Sequence, residues 1–488
     1  MRKRFEVQLC LGQIPIEKVI LPLKSRDELP PILAGLQWIW QHPEAHAQVF
    51  ALLEQKINAG KKATGRPGLT LWQILVLGVV RLGLDCDYDR LEYLANYDAL
   101  LRQILGVNPM REAPEKPFHH KTLADNAGLV DEELLSQINA VVVQAGRPLF
   151  KKKEGGGAEP LAVKVDTYVL ETNVHFPTDL NLLWDAQRKC LDGVEALSGR
   201  LTGWRKTADW RRKLKGQMRR VSRASQGGGP HKEERVRAAA REYLKASYPF
   251  EDKVFTSLLE LRGQALDVLE LGQVTVLDYF HSEVVRHIDL VERRLLQGET
   301  IPHAEKVFSL FEPHTEWIAK GKLFPAVELG HRLLVATDQH ELIVDYKVLE
   351  GTSEVAELVP VADRLLARYG EDQIASLSTD QGFSRAEDRE LLELFIPQVV
   401  VPKRGKLSVA DQERQSQRKF RALRHQHAAI EADINCLEHH GLNRCPDKGL
   451  RGYKRYVGFG VLAYNLHKIG ARLLAGQGAG ELGLVAAA

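Results

Sequence analysis

The sequence predicts an α/β protein: a mixed sheet with a large helical insertion after its first strand, preceded by an all-α N-terminal region. Three observations carry this. Residues 161–170 are rich in β-branched and aromatic side chains, a strand with Asp166 at its middle. Residues 179–297 are helical in pattern, broken at Gly227-Gly228-Gly229-Pro230. Strand signals then return at 326–336, 342–349, 374–380 and 398–401, with helical patterns at 355–369 and 385–394. With 179–300 taken out, the order is three strands, helix, strand, helix, strand, helix, which is that of a mixed sheet.

The N-terminal region reads as helices after a short extended start at 5–9. A basic, glycine-containing link covers 60–68. Thr70 is a good N-cap for a helix with Leu71, Ile74, Leu75, Leu77 and Val80 at helical spacing, closed by Gly83. Two more short helices follow, from 88 and over 97–105. Three helices with tight turns suggest a helix-turn-helix-like DNA-binding or assembly module. Helices at 122–127 and 131–145 complete residues 1–150. The stretch Lys151-Lys152-Lys153-Glu154-Gly155-Gly156-Gly157 is the expected boundary to a second domain, 158–474, which contains the insertion 179–300. Long helices at about 410–440 and 452–474 end that domain, and the small-residue tail 475–488 is expected to be flexible.

At 488 residues, with 44% hydrophobic and 27% charged side chains, the chain has globular composition and length for several domains. No run approaches the roughly 18 apolar residues needed to span a bilayer. The five cysteines are scattered and form no CxxC pair, which suggests a reduced, cytoplasmic setting. The net charge of +3 hides a concentration of base. Residues 199–245 carry 15 Lys/Arg against 4 Asp/Glu, and 402–425 carry 8 against 2. Such zones point to a polyanion, most simply nucleic acid. The candidate phosphate contacts are Arg205, Lys206, Arg211, Arg212, Lys213, Lys215, Arg219 and Arg220 in the first zone. In the second they are Lys403, Arg404, Lys406, Arg424 and His427. Trp204 and Trp210, interleaved with the first zone, suit either base stacking or a core. Lys320 and Lys322 are read as part of a surface loop.

Chemistry points to carboxylates. Asp166 sits among apolar neighbours, where an aspartate needs a partner or a metal. Asp380 ends a strand, and Gly382 turns the chain away. Glu431 borders the apolar stripe of its helix; Glu438, seven residues on, shares that side, and the local pattern does not choose between them. Two aspartates on neighbouring strand ends and a helical glutamate suit two divalent ions roughly 3.5–4 Å apart, a site for phosphodiester displacement. Cys436, His439, His440 and Cys445 fit no standard zinc spacing.

Several segments in order resemble an insertion-sequence DDE transposase of the ISNCY group, broadly similar to families with a YREK signature. They are Thr64-Gly65-Arg66-Pro67-Gly68, Val165-Asp166-Thr167, the run 171–179, Thr379-Asp380-Gln381-Gly382-Phe383, Ile430-Glu431, Gly441-Leu442-Asn443-Arg444-Cys445 and Val461-Leu462-Ala463-Tyr464-Asn465-Leu466. The resemblance implies an RNase H-like core with Asp166, Asp380 and Glu431 as catalytic, metal-binding residues. It implies two Mg²⁺ ions (Mn²⁺ as substitute) and double-stranded DNA as partner, both terminal inverted repeats and target. It further implies a homodimer on DNA and a cytoplasmic, nucleoid-associated setting with no membrane. Glu438 stands at the signature lysine, His427 at the arginine, Arg424 at the tyrosine, and Gln381 where a basic residue is usual. The rival expectations are a catalytically inactive DNA-binding protein of transposon origin and an RNase H-like nuclease without strand transfer.

Overall fold

The computed structural model describes residues 1–5, 14–62, 68–108, 116–150, 159–319 and 326–486. Seven strands form one mixed sheet: β1 (Leu161–Thr172), β2 (Glu316–Ala319), β3 (Val327–Thr337), β4 (Ile343–Val348), β5 (Ile374–Thr379), β6 (Val399–Val400) and β7 (Arg444–Cys445). Their order is β2-β3-β1-β5-β6, with β4 also on β3 and β7 also on β1. β1 lies antiparallel to β3 and parallel to β5 and β7. β5 covers only its residues 161–165 and β7 only 171–172. On that edge, among the described residues, the stretch 166–170 has no strand beside it.

The helices before the sheet are α1 (Leu29–Gln41), α2 (Pro43–Ile57), α3 (Leu71–Gly83), α4 (Tyr88–Tyr97), α5 (Ala99–Ile104), α6 (His120–Ala127) and α7 (Glu132–Gly146). A capping box, Thr70 with Gln73, opens α3 where the sequence places it. Every α3 residue except Gln73 is buried, so α3 is a core helix with little face to offer a groove.

The chain forms two compact units, residues 1–173 with 316–488, and residues 174–315. In the first, Ile32 of α1, Trp72 of α3, Leu135 of α7, Val165 of β1 and Leu334 of β3 belong to one hydrophobic core, together with Val457 of the last helix. The N-terminal helices and the sheet are therefore not separately cored, as the expected division at 150/158 required. A glycine-rich link says nothing about whether its flanking elements pack together, and residues 151–157 themselves lie outside the described residues. The second unit contains α8 (Asp179–Ala196), α9 (Thr207–Gln226), α10 (Lys232–Arg262) and α11 (Val268–Val291) around its own core of Leu183, Leu191, Tyr243, Phe250 and Val284. It is wider than the expected insertion 179–300.

After β4 come α12 (Glu354–Tyr369) and α13 (Ala386–Leu392), then α14 (Val409–Ser416), α15 (Arg418–His427), α16 (Ile430–Leu437) and α17 (Gly449–Ala486). The single helix expected at 410–440 is thus three, the first ending where Gln417 turns extended (ψ 138°). α17 continues through most of the expected tail. β2, just before the loop expected at Lys320 and Lys322, carries no strand signal of its own; pairing with β3 supplies the backbone partners that its four residues could not signal alone.

Two buried asparagines join this last helix to the sheet. Asn465 of α17 accepts from the Ile343 amide at 2.9 Å and donates to the Ile343 carbonyl at 2.9 Å and to Asn139 of α7 at 2.7 Å. Asn139 donates to the same carbonyl at 3.0 Å. At Ile343, the first residue of β4, the amide and carbonyl are thereby satisfied by side chains instead of another strand.

Candidate active site

The register of the sheet brings the two aspartates together. Val165 of β1 pairs with Thr379 of β5 in parallel register, so the next step along each strand is Asp166 and Asp380. Asp380 is at a strand end, as expected; Asp166 lies inside a twelve-residue strand, beside the point where β5 leaves it. The Asp166 Oδ1 accepts from the Thr167 amide at 2.7 Å, and the Asp380 Oδ1 from the Gly382 amide at 2.8 Å.

A fourth carboxylate, unanticipated from sequence, completes the group. Glu354, first residue of α12, accepts from the Thr167 hydroxyl at 2.6 Å, with the Arg332 Nε 3.5 Å away. A Cβ on Gly382 would fall 2.3 Å from Glu354 Oε2 and 3.0 Å from Asp380 Oδ1, so these two carboxylates face each other across the space a side chain would fill. Glutamate in a first helical turn is favoured by the helix dipole wherever it occurs, so no local signal separates Glu354 from ordinary ones.

Electrostatics ties Glu431 to the same group. Burial first, then the charges of Asp380, Glu354 and Glu431, push the Asp166 carboxyl up to about 7, against the Thr167 amide bond that lowers it. Asp380 is likewise raised, by desolvation and by the Glu354 charge. Glu431 is exposed at the start of α16, whereas Glu438 interacts with Tyr168 farther along β1. Between them on α16, buried Asp433 is committed to structure: its oxygens meet Lys164 at 3.4 Å and the Tyr464 hydroxyl at 3.2 Å. The electrostatic grouping thus favours Glu431 over Glu438, and the set of hard oxygens is short of cations. Crowded carboxylates of this kind fit a hydrated divalent ion, whose charge would reverse the upward shifts. No three of these carboxylates, among the described residues, have oxygens within 4.8 Å of one another. Among the described residues, the group of three ligand side chains with atoms within 4.8 Å of one another is Glu92, His119 and His120. Cys436, His439, His440 and Cys445 do not form such a group.

The basic residues divide by what they touch. Arg205, Lys206, Arg212, Lys213, Lys215, Arg219 and Arg220 are exposed on or just before α9. Arg211 is instead held by Asp192 at 3.0 Å and Glu195 at 3.1 Å. Trp204 is a core residue, its indole donating to Ser257 at 2.8 Å, and half-buried Trp210 packs on Phe250. Arg404, Lys406 and Arg424 are exposed, while Lys403 pairs with Asp411 at 2.5 Å. His427 turns its Nδ1 to Ser378 at 3.3 Å, and burial with the Lys164 charge pushes its pKa down to about 4. It therefore carries no charge near neutral pH with which to hold a phosphate. Residues 64–67 of the first resembling segment, with Lys320 and Lys322, lie outside the described residues.

Among the described residues, no helix is long and apolar enough to cross a membrane. Comparison with family models, with curated proteins and with solved structures finds no match to this chain.

Proposed function

We propose that the chain is a Mg²⁺-dependent DNA transposase with an RNase H-like catalytic core. The observation that carries this reading is the meeting of Asp166 and Asp380 on adjacent parallel strands, with Glu354 and Glu431 contributing charge to the same group. The central strand, antiparallel β3 and β4 on one side and parallel β5 and β6 on the other, supports the RNase H-like assignment. Asp166, Asp380 and Glu431 are the metal-holding residues. Mg²⁺ bound there supplies activation of water or a 3′-hydroxyl and stabilises the departing oxygen of the phosphodiester. Thr167 and Gly382 fix the carboxylates through backbone amides, and Glu354 adds negative charge beside them. The exposed cations of α9, with Arg404, Lys406 and Arg424, bind duplex DNA through its phosphates, both element ends and target, and two copies act together on the two ends. The setting is cytoplasmic, on the nucleoid.

The test uses purified full-length protein, Mg²⁺ and labelled DNA taken from either side of the coding region. Wild type releases 3′-hydroxyl ends and joins them to a second duplex. Asp166→Asn, Asp380→Asn or Glu431→Gln abolishes cleavage while binding persists. Full cleavage by any one of these removes that residue from the mechanism. Cleavage without joining assigns a nuclease. The uncharged state of His427 and the acidic Glu438 favour a second reading, a DNA-binding protein without catalysis; binding without cleavage under Mg²⁺ and Mn²⁺ assigns that one.

A further inference from the structure

The second cluster of ligating side chains lies away from the carboxylates, where α4 meets the start of α6. Asp89 and Glu92 are three residues apart on α4 and so share a face. His119 precedes α6 and His120 begins it, their rings 4.9 Å apart between centroids. Glu92 Oε2 is 3.1 Å from His120 Nδ1 and 3.8 Å from His119 Nδ1, and Asp89 Oδ1 is 3.6 Å from His120 Nδ1.

We propose that Glu92, His119 and His120, with Asp89 as fourth ligand, bind one Zn²⁺ ion that clips the start of α6 to α4. Tetrahedral zinc with bonds of about 2.0–2.1 Å to nitrogen and oxygen sets its ligand atoms roughly 3.3 Å apart. The contacts of 3.1 and 3.8 Å from Glu92 to the two imidazoles bracket that spacing, while exposed Asp89 lies outside the set of atoms within 4.8 Å of one another and turns in from His120 to become the fourth ligand. Two imidazoles and carboxylate form a borderline ligand set suited to zinc, unlike the all-oxygen group around Asp166. Two carboxylates and two neutral histidines also balance a divalent charge.

The arrangement asks more of Glu92 than an ion pair does. One oxygen, Oε2, receives the His120 amide at 2.6 Å and faces both imidazoles. His119 is the N-cap residue of α6, yet its side chain makes no capping bond and turns to that oxygen instead. The backbone beneath is fixed independently of the ligands. Buried Asn96 of α4 accepts from the Phe118 amide at 2.9 Å and donates to the Phe118 carbonyl at 2.9 Å. The histidines are thus laid along α4 before any ion arrives, and the amide bond to Glu92 orients the carboxylate as partners behind a metal ligand do.

The test uses full-length protein stripped with a chelator, dialysed against Zn²⁺ and analysed for bound metal; Co²⁺ replaces Zn²⁺ as an absorbing probe. Wild type is expected to hold one zinc more than His119→Ala or Glu92→Gln. It is also expected to show the visible bands of tetrahedral Co²⁺, which both variants lose. His119 is 65% exposed in its side chain, so His119→Ala should match the wild-type far-ultraviolet spectrum and metal-free melting temperature, and only wild type should melt higher with Zn²⁺. The Asp166→Asn, Asp380→Asn double variant should retain this zinc, which separates the site from the carboxylate group. Equal zinc in wild type and His119→Ala, including none in either, overturns the proposal.

Discussion

Asp166 is the residue on which the most forces converge. Its folded pKa of about 7 lies above the ordinary 3.8, so the folded protein holds a proton there that the unfolded chain gives up. In the metal-free protein this favours the fold at low pH, and the contribution is lost as pH rises through roughly 4 to 7. The shift corresponds to as much as roughly 4 kcal/mol. Asp166→Asn should therefore melt higher than wild type at pH 8 without divalent ions and show little difference at pH 4. Mg²⁺ needs the ionised carboxylate, so its affinity should rise with pH through about 7, followed by titration at several pH values. Gly382→Ala is a sharper probe of geometry. The new Cβ displaces the flexible Glu354 carboxylate, so melting should change little while cleavage falls on the order of 100-fold. At this scale the sequence makes Asp166 and Asp380 legible because each stands out from an apolar strand. Glu431 needed the family resemblance, and Glu354 stayed hidden because an acid in a first helical turn needs no special explanation.

Among elements, the crossing of α1 and α17 depends on absent side chains. A Cβ on Gly470 would lie 1.8 Å from the Pro31 carbonyl oxygen, and one on Gly35 would lie 2.2 Å from the Leu466 carbonyl oxygen. Both obstacles are backbone, which cannot swing aside. Gly470→Ala should destabilise by about 1–3 kcal/mol or more, read by urea unfolding. A second tie is ionic: buried Arg81 of α3 grips Asp447 just before α17 through contacts of 2.6 and 3.1 Å, its guanidinium 4.0 Å from the Tyr88 ring centre. Removing one partner strands a buried charge, and Asp447→Ala should cost about 3–5 kcal/mol by the same measurement. Periodicity made α3 readable and showed most of α17. It could not show that these helices meet, since an apolar stripe records burial and not the identity of the partner.

For the whole molecule, core membership decides what can fold alone. Residues 1–150 look like a domain by composition, yet their apolar faces are covered by the sheet and by α17. A fragment of 1–150 should therefore stay largely unfolded by circular dichroism. Residues 174–315 have a separate core and should fold as an isolated fragment with a cooperative melt. The long helical stretch between β1 and β2 was legible because nothing in it alternates as a strand does. The false boundary arose because lysines and glycines report a solvated link, which also occurs within a shared core.

The most direct measurement is anomalous diffraction from crystals of the full-length protein soaked in Mn²⁺. Manganese peaks are expected between the carboxylates of Asp166 and Asp380, within coordination distance of Glu431, and they should be lost in Asp166→Asn. Manganese absent from this group, while the crystals bind it elsewhere, would show that these carboxylates do not hold a catalytic metal.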